Sequence, residues 1–491
     1  MQGTGCGSDG RPFWVQLVDM RHGVFVFVFA VIWIEAILLV LLVMPGAAVR
    51  AGDDFPDVVA TDLDSLWVFR GDGKGGFLEP QAYYIETNCE PWSVTAGDVT
   101  GDGLPDLISA NRLLNHVAVF VSKGGGEFEP EPRIIPTSQS PYDVDLGDLD
   151  GDGDLDLVVT CDFNPGSVLL YFNDGQGNFP RQETLTSGGT CFNSVLVDLD
   201  GKDSLDIVVV HNGAADLSVW RNMGDGTFES EGTTAAGTDP KAIKAGDFNG
   251  DGFPDVAITN DSAGRITIFL GNGFGGLTEK ATYFAGIQPR DLDVADLNGD
   301  GKQDLVVAGG RSSNIVARFL GLGDGTFLGP ADFFTGPRPN SVDAADFDLD
   351  GKPDVAVANW SLDNPALASI TILRGDGLGD FPTQVDLVPS GGFRKVTALW
   401  AGQLDQVPFL RGDANRNGRH TLTDGILILQ YLFSGGTITC PDAADSDDNG
   451  RITLTDGIRV LYWIFKGGDP PAPPYLKAAS DPTPDQLGCG G

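Results

Sequence analysis

The sequence predicts a mainly β protein, a seven-bladed β-propeller followed by a small α-helical domain, on three observations. An acidic loop recurs every 49 or 50 residues, a glycine-rich turn ending in Phe keeps the same period, and two acidic loops near the C-terminus each run into an amphipathic helix. A fixed period of this length marks stacked supersecondary units, each too small to bury its own apolar face. Composition agrees: 68 Gly, 30 Pro and 29 Phe in 491 residues point to short strands and tight turns. The net charge of -38 excludes a phosphate-backbone partner, which needs a basic stripe, and suits cations, neutral sugars or proteins.

Residues 1–48 are expected to direct export. Arg21 precedes "GVFVFVFAVIWIEAILLVLLVM" at 23–44, and the small residues of "PGAAVRA" follow. That layout predicts a secretory signal cut after Ala48 or Ala51, with Glu35 in mid-stretch speaking against a permanent span. The stretch is long enough for a retained membrane anchor, which stays open as the alternative and is the only route to a membrane partner. "MRH" at 20–22 is an ordinary charged start, so residues 1–19 are expected to be an over-extended reading frame. Either way the chain after residue 50 lies outside the cell. The six cysteines (Cys6, Cys89, Cys161, Cys191, Cys440, Cys489) form no CxxC pair for zinc. Export permits disulfides, and the expected pairs are Cys161 with Cys191 and Cys440 with Cys489.

Residues 49–404 carry the repeat. The copies read "GDVTGDGLPDLIS" at 97, "GDLDGDGDLDLVV" at 147, "VDLDGKDSLDIVV" at 197, "GDFNGDGFPDVAI" at 246, "ADLNGDGKQDLVV" at 295 and "ADFDLDGKPDVAV" at 345. A truncated seventh, "AGDDFPDVVAT" at 51–61, keeps only the last Asp, Asp57. The second landmark is Phe77, Phe128, Phe179, Phe228, Leu277, Phe327 and Phe381, each closing a turn such as "GLGDGTF". Within a unit, period-2 alternation allows four strands, for example "WSVTAGD", "DLISA", "HVAVFVS" and "EPRIIPT". Seven such units read as a propeller. The first unit lacks a strand before its loop, and "RKVTALWAGQ" at 394–403 is that strand without a loop, so it is expected to close the ring.

Crowded carboxylates decide the chemistry. Asp148, Asp150, Asp152, Asp154 and Asp156 fall within nine positions, and two bare carboxylates about 4 Å apart repel by roughly 4 kcal/mol at a surface-like dielectric. The spacing D-x-[DNT]-x-D-G-x-x-D offers side-chain oxygens at positions 1, 3, 5 and 9 and a carbonyl at 7, the hard-oxygen set that Ca²⁺ accepts more readily than Mg²⁺. A metal-free Asp-Gly turn accounts for one copy, not for six. The expected ligands are Asp98, Thr100, Asp102 and Asp106; Asp148, Asp150, Asp152 and Asp156; Asp198, Asp200 and Asp206; Asp247, Asn249, Asp251 and Asp255; Asp296, Asn298, Asp300 and Asp304; and Asp346, Asp348, Asp350 and Asp354. Asp154 at position 7 offers only its carbonyl. Lys202 replaces the position-5 ligand of its loop, which is expected to be weak or empty with the ammonium standing in for the ion. Five or six Ca²⁺ ions are expected in the propeller.

Loop, Gly-Phe turn and period together resemble the FG-GAP or VCBS-type repeat proteins, whose fold is a seven-bladed propeller like the head of integrin alpha subunits. The resemblance implies calcium loops on one face and partners on the other, and functions in adhesion, ligand recognition or, occasionally, carbohydrate-active chemistry. Six residues before each loop's first Asp stand Trp92, Tyr142, Phe192, Lys241, Arg290 and Asn340; five after its last stand Asp62, Asn111, Cys161, His211, Asn260, Gly309 and Asn359. Strand counting puts both sets on the face opposite the loops. The first set, aromatics followed by two cations and an amide, is the candidate ligand site; a role only in capping the blades is the alternative. Four His without zinc-ligand spacing and no G-x-S-x-G elbow give no catalytic signature, and the paired Asp residues a glycosidase needs are better explained as metal ligands.

After a linker at 405–411, residues 412–468 hold "GDANRNGRHTLTDGILILQYLFSGG" and "DSDDNGRITLTDGIRVLYWIFKGG". Each is an EF-hand-like loop entering a helix. Asp413, Asn415, Asn417, the Arg419 carbonyl, Thr421 and Asp424 fill positions 1, 3, 5, 7, 9 and 12; Asp445, Asp447, Asn449, the Arg451 carbonyl, Thr453 and Asp456 do so again. Asp at position 12 in place of Glu, the 32-residue duplication and the missing incoming helices resemble a type I dockerin. The resemblance implies two further Ca²⁺ ions and a cohesin-like docking partner met through Leu422, Thr423, Leu454 and Thr455, although both copies read Leu-Thr where Ser-Thr is frequent. "DPPAPP" at 469–474 opens a stiff spacer and tail reaching residue 491. The leading expectation is a secreted or cell-surface calcium-binding recognition or adhesion protein, not an enzyme, with a propeller for a protein or glycan and a tail for docking. The alternatives are an accessory or catalytic component of an extracellular polysaccharide-degrading assembly, and a structural surface protein.

Overall fold

The structure, a computed structural model, describes residues 2–6, 12–16, 56–72, 75–137, 139–163, 166–285, 288–310, 313–360, 368–389 and 399–402. The chain divides into two units, Met1–Val49 and Arg50–Gly491. In the first, Gln2–Cys6 pairs antiparallel with Pro12–Gln16. The apolar export stretch, the 405–411 linker, both dockerin-like loops, the Cys440 and Cys489 pair and the tail lie outside the described residues. Among the described residues no helix is long and apolar enough to cross a membrane.

The second unit contains seven four-stranded antiparallel sheets. From the axis outward, blade 2 runs Pro91–Gly97, Asp106–Asn111, His116–Phe120 and Arg133–Pro136. Blades 3 to 7 repeat that order from inner strands Pro141–Gly147, Cys191–Val197, Pro240–Gly246, Asp291–Ala295 and Pro339–Ala345. Blade 1 has the expected composite build. Its inner strand is Leu399–Gly402, which pairs with Asp57–Thr61, Gly402 opposite Asp57, so the two ends of the repeat complete one sheet and close the ring.

Burial follows strand position. The second strand of blade 3, Asp156–Cys161, is buried at every residue, whereas its outermost strand, Arg181–Thr186, alternates between core and solvent. Seven apolar clusters fill the seven spaces between neighbouring blades. Both sequence landmarks feed them. The turn residues Phe77, Phe128, Phe179, Phe228, Leu277, Phe327 and Phe381 each enter the cluster shared with the preceding blade, and position 2 of each acidic loop (Val99, Leu149, Leu199, Phe248, Leu297, Phe347) enters that shared with the following one. Burying such a side chain stabilises by roughly 1.5–3 kcal/mol. Phe77 meets Phe347 edge to face, with centroids 5.7 Å apart, at the closing interface.

Polar links join the blades above these cores. Arg70 donates to the Gly125 carbonyl, Arg133 to Gln176, Arg181 to Gly226, Arg318 to Gly379 and Arg374 to Gly75, so an arginine of one blade grips the Gly-rich turn of the next at five interfaces. The turns answer by binding the preceding blade's acidic loop: Asn173 Nδ2 donates to the Val99 carbonyl and Asn222 Nδ2 to Leu149, both at 2.8 Å. The expected Cys161–Cys191 disulfide is absent. Both thiols are free and buried, their Sγ atoms turned to the carbonyls of Gln139 and Gly189, and burial pushes them up to about 12 and about 11.

Candidate metal centres and central pocket

Each acidic loop joins the inner strand of a blade to its second strand, and the carboxylates at its two ends do different work. Asp148 folds the loop onto itself: Oδ1 accepts the Gly151 N–H at 2.8 Å and Oδ2 the Gly153 N–H at 3.1 Å. The glycines permit this, with φ of 79° and 96° in the left-handed region. Position 9 pins the loop to the blade. Asp156, fully buried, accepts the Leu149 N–H (2.9 Å) on Oδ2 and the Asn173 N–H (2.8 Å) on Oδ1. Asp106, Asp206, Asp255, Asp304 and Asp354 repeat the pattern. Burial pushes Asp106 and Asp156 up to about 6 against the pull of these donors.

Positions 1, 3 and 9 converge. In the three loops with Asp at all of them, Asp148/Asp150/Asp156, Asp198/Asp200/Asp206 and Asp346/Asp348/Asp354, one carboxylate oxygen of each residue lies within 4.8 Å of the others. Position 5 stands outside these sets: Asp102, Asp152, Asp251, Asp300 and Asp350 each use Oδ1 to cap the N–H two residues on. Orphaned oxygens show that the residues fit a cation. Thr100 Oγ1, Asp150 Oδ1 and Asp200 Oδ1, all at position 3, are buried without a hydrogen-bond partner, a costly state for an oxygen facing carboxylates unless an ion completes it. Hard oxygens at these spacings suit Ca²⁺.

Internal cations temper some loops. In blade 4, Lys202 Nζ bonds Asp200 Oδ2. Lys302 and Lys352, at position 7, reach Asp300 and Asp350 at 3.1 and 2.7 Å and hold those carboxyls below the usual range. Arg181 lies 3.5 Å from Asp150, and Arg374 bonds Asp354. None of these arginines was visible as a loop partner in the sequence, because each arrives from another strand.

The opposite ends of the inner strands surround a cavity of about 210 Å³ on the propeller axis. Five of the six candidate ligand residues, Trp92, Tyr142, Lys241, Arg290 and Asn340, line it; Phe192 stands beside them. Trp92 stacks on Tyr142 (centroids 5.2 Å), Tyr142 meets Phe192 (4.5 Å), and Lys241 Nζ sits 4.1 Å over the Phe192 ring. Trp360, edge-on to Trp92 at 6.4 Å, extends the arc on its other side. Arg290 pairs with Asp261 at 3.2 Å and Lys241 with Asp239 at 2.9 Å. Deeper in, Asp143, Asp145, Asp291 and Asp343 face Lys244.

The second set reaches the same face but not its surface. Register places Asn111 opposite Pro91, Cys161 opposite Pro141, His211 opposite Cys191 and Asn359 opposite Pro339, yet these side chains are buried. They tie strands together. Asn260 Nδ2 donates to the Ala236 carbonyl and Asn359 Nδ2 meets Thr371 Oγ1. His211 fills the same place in blade 4, with Nδ1 2.7 Å from Asp216 Oδ1 and Nε2 against the hydroxyls of Ser187 and Ser218. That connectivity mimics a hydrolytic triad, but His211 and Ser187 are sealed from solvent, and three of the six equivalent positions are asparagines (Asn111, Asn260 and Asn359).

The FG-GAP-like repeat family matches the chain six times, at residues 51–109, 98–159, 148–209, 198–258, 247–307 and 296–357. No curated protein matches the sequence. Among solved structures, an Agrocybe aegerita lectin that recognises non-reducing terminal N-acetylglucosamine aligns with a TM-score of 0.51 and 22% identity, over 72% of this chain and 96% of the lectin. The periplasmic gluconolactonase of Pseudomonas aeruginosa gives 0.54 and 16%, over 72% and 100% of the two chains. A Lactobacillus plantarum protein gives 0.54 and 13%, over 71% and 99%. At these identities the likeness is one of fold.

Proposed function

Because the chain belongs to the FG-GAP-like repeat family, we propose that it is an exported, calcium-stabilised recognition protein whose propeller binds a glycan in the central pocket. The dockerin-like tail supplies docking to a protein partner. One observation carries this reading: Trp92 and Tyr142, the middle of an aromatic arc continued by Trp360 and Phe192, line a polar cavity on the face opposite the acidic loops. Flat rings beside fixed hydrogen-bonding groups are what a sugar's apolar face and hydroxyls require. The cavity of about 210 Å³ suits a single sugar end rather than a drug-sized ligand, whose pockets run about 300–1,000 Å³. The lectin among the structural neighbours supports the choice of a glycan by fold analogy alone.

A glycan array probed with the full chain and with Tyr142→Ala tests this. Loss of a central aromatic anchor costs about 2 kcal/mol, so bound glycans should weaken about 30-fold. An array with no binder, or binders indifferent to Tyr142→Ala, removes the reading. Release of reducing ends from an array hit would favour the polysaccharide-degrading alternative, with Asp143 and Asp145 as its acid pair.

A further inference from the structure

The central pocket is asymmetric in charge, and its two walls differ in kind. On one side stand the rings of Trp92 and Tyr142. Behind them Asp143 and Asp145, from the inner strand of blade 3, line the cavity, and Asp291 lines it from blade 6. These carboxylates are fixed by the next blade. Asp143 Oδ2 accepts from Asn193 Nδ2 (2.6 Å) and the Ser194 N–H (3.1 Å), Asp145 Oδ2 from Ser194 Oγ (2.7 Å), and Asp291 Oδ2 from Ser341 Oγ (2.8 Å) and the Val342 N–H (3.1 Å). Side chains tethered in this way stay in place when a ligand arrives, so little ordering cost remains to be met.

Cations among the described lining residues do not match this wall. Lys241 and Arg290 turn to Asp239 and Asp261, neither of which lines the cavity. Lys244 lies 3.8 Å from Asp293, on the blade 6 side, and 43% of its side-chain surface stays open. Lys244 faces the Asp143/Asp145 pair across the cavity, but its ammonium lies within ion-pair distance of neither carboxylate. Burial, then the neighbouring Asp143 carboxylate, pushes Asp145 up to about 8, against the pull of Ser194 and Lys244. The rim already shows a cation on an aromatic face, in Lys241 over Phe192. Rings backed by carboxylates are a general solution for binding ammonium groups. A bare metal ion fits less well, since it needs six to eight oxygens at about 2.3–2.6 Å and gains nothing from the rings.

We propose that the ligand of the central pocket carries an ammonium group, seated between Trp92 and Tyr142 at the rim and Asp143 and Asp145 below, as in an amino sugar. This rests on the pocket being the binding site, as in the glycan reading above. The test is a calorimetric titration of the full chain with glucosamine, glucose and propylamine, repeated with Asp143→Asn/Asp145→Asn and with Asp143→Asn alone in case the double variant fails to fold. Glucosamine and glucose share a ring and differ by one amino group. Glucosamine should bind at least about tenfold more tightly than glucose, and the advantage should shrink in the Asn variants. Equal binding of the two sugars overturns the ammonium assignment and leaves the glycan reading standing. Propylamine binding with no response to either sugar does the reverse, and silence from all three overturns both.

Discussion

Chelating calcium lowers the thermal midpoint of the full chain by about 10–20 °C. A site held at about 100 times its Kd stabilises by roughly 2.7 kcal/mol, so five occupied loops contribute on the order of 13 kcal/mol. Unfolding entropy of about 2.1 cal/mol/K per residue, over the 49–404 repeat, makes each degree worth roughly 0.7 kcal/mol. The effect spreads beyond the loops, because each is the abutment on which the next blade rests: Asn173 donates to the carbonyl of Val99 and Asn222 to that of Leu149. Without an ion, the convergent oxygens of Asp148, Asp150 and Asp156 repel one another. Scanning calorimetry in EDTA, then in excess calcium and in excess magnesium, should show the drop and its repair by calcium. An unchanged midpoint sinks calcium stabilisation.

Asp156→Ala costs about 3–5 kcal/mol even in EDTA, where no ion contributes. The carboxylate is fully buried and holds the N–H groups of Leu149 and Asn173; each donor left unpaired costs about 1–3 kcal/mol. Asp154→Asn is the control. Its side chain lies against Gly175 of the same blade, and nothing buried depends on it, so its change stays within about 0.5 kcal/mol. Urea midpoints of the two variants in EDTA separate the pin from the ligand. Equal midpoints would mean that position 9 serves the ion alone.

The repeat was legible because its parts are local in sequence. The loop carboxylates, the turn Phe and the closing strand at 394–403 each announce themselves within a dozen residues, and period-2 counting places Trp92 and Tyr142 on the face away from the loops. What stayed hidden crosses between blades. Arg374 reaching Gly75, Asn222 reaching Leu149, and Asp143 reaching Ser194 join residues 51 to 299 positions apart that no spacing rule links. The division of labour inside the loop was also invisible: Asp152 and Asp156 look alike in sequence, but one caps a turn and the other anchors a blade. Trp360 escaped because it lies one residue beyond the counted position. Cys161 and Cys191 were expected to pair because export permits disulfides, but each thiol turns to a carbonyl instead.

Lys202 offers the sharpest test of the claim that the acidic loops are calcium sites. Five other loops carry Asp at its position, Asp102, Asp152, Asp251, Asp300 and Asp350, and Asp200 Oδ1 beside it is buried without a partner. Calcium counted by native mass spectrometry on the full chain and on Lys202→Asp gives a difference that cancels any ions bound outside the propeller. The expected result is one additional ion in the variant; equal counts, or no calcium in either protein, would contradict the account.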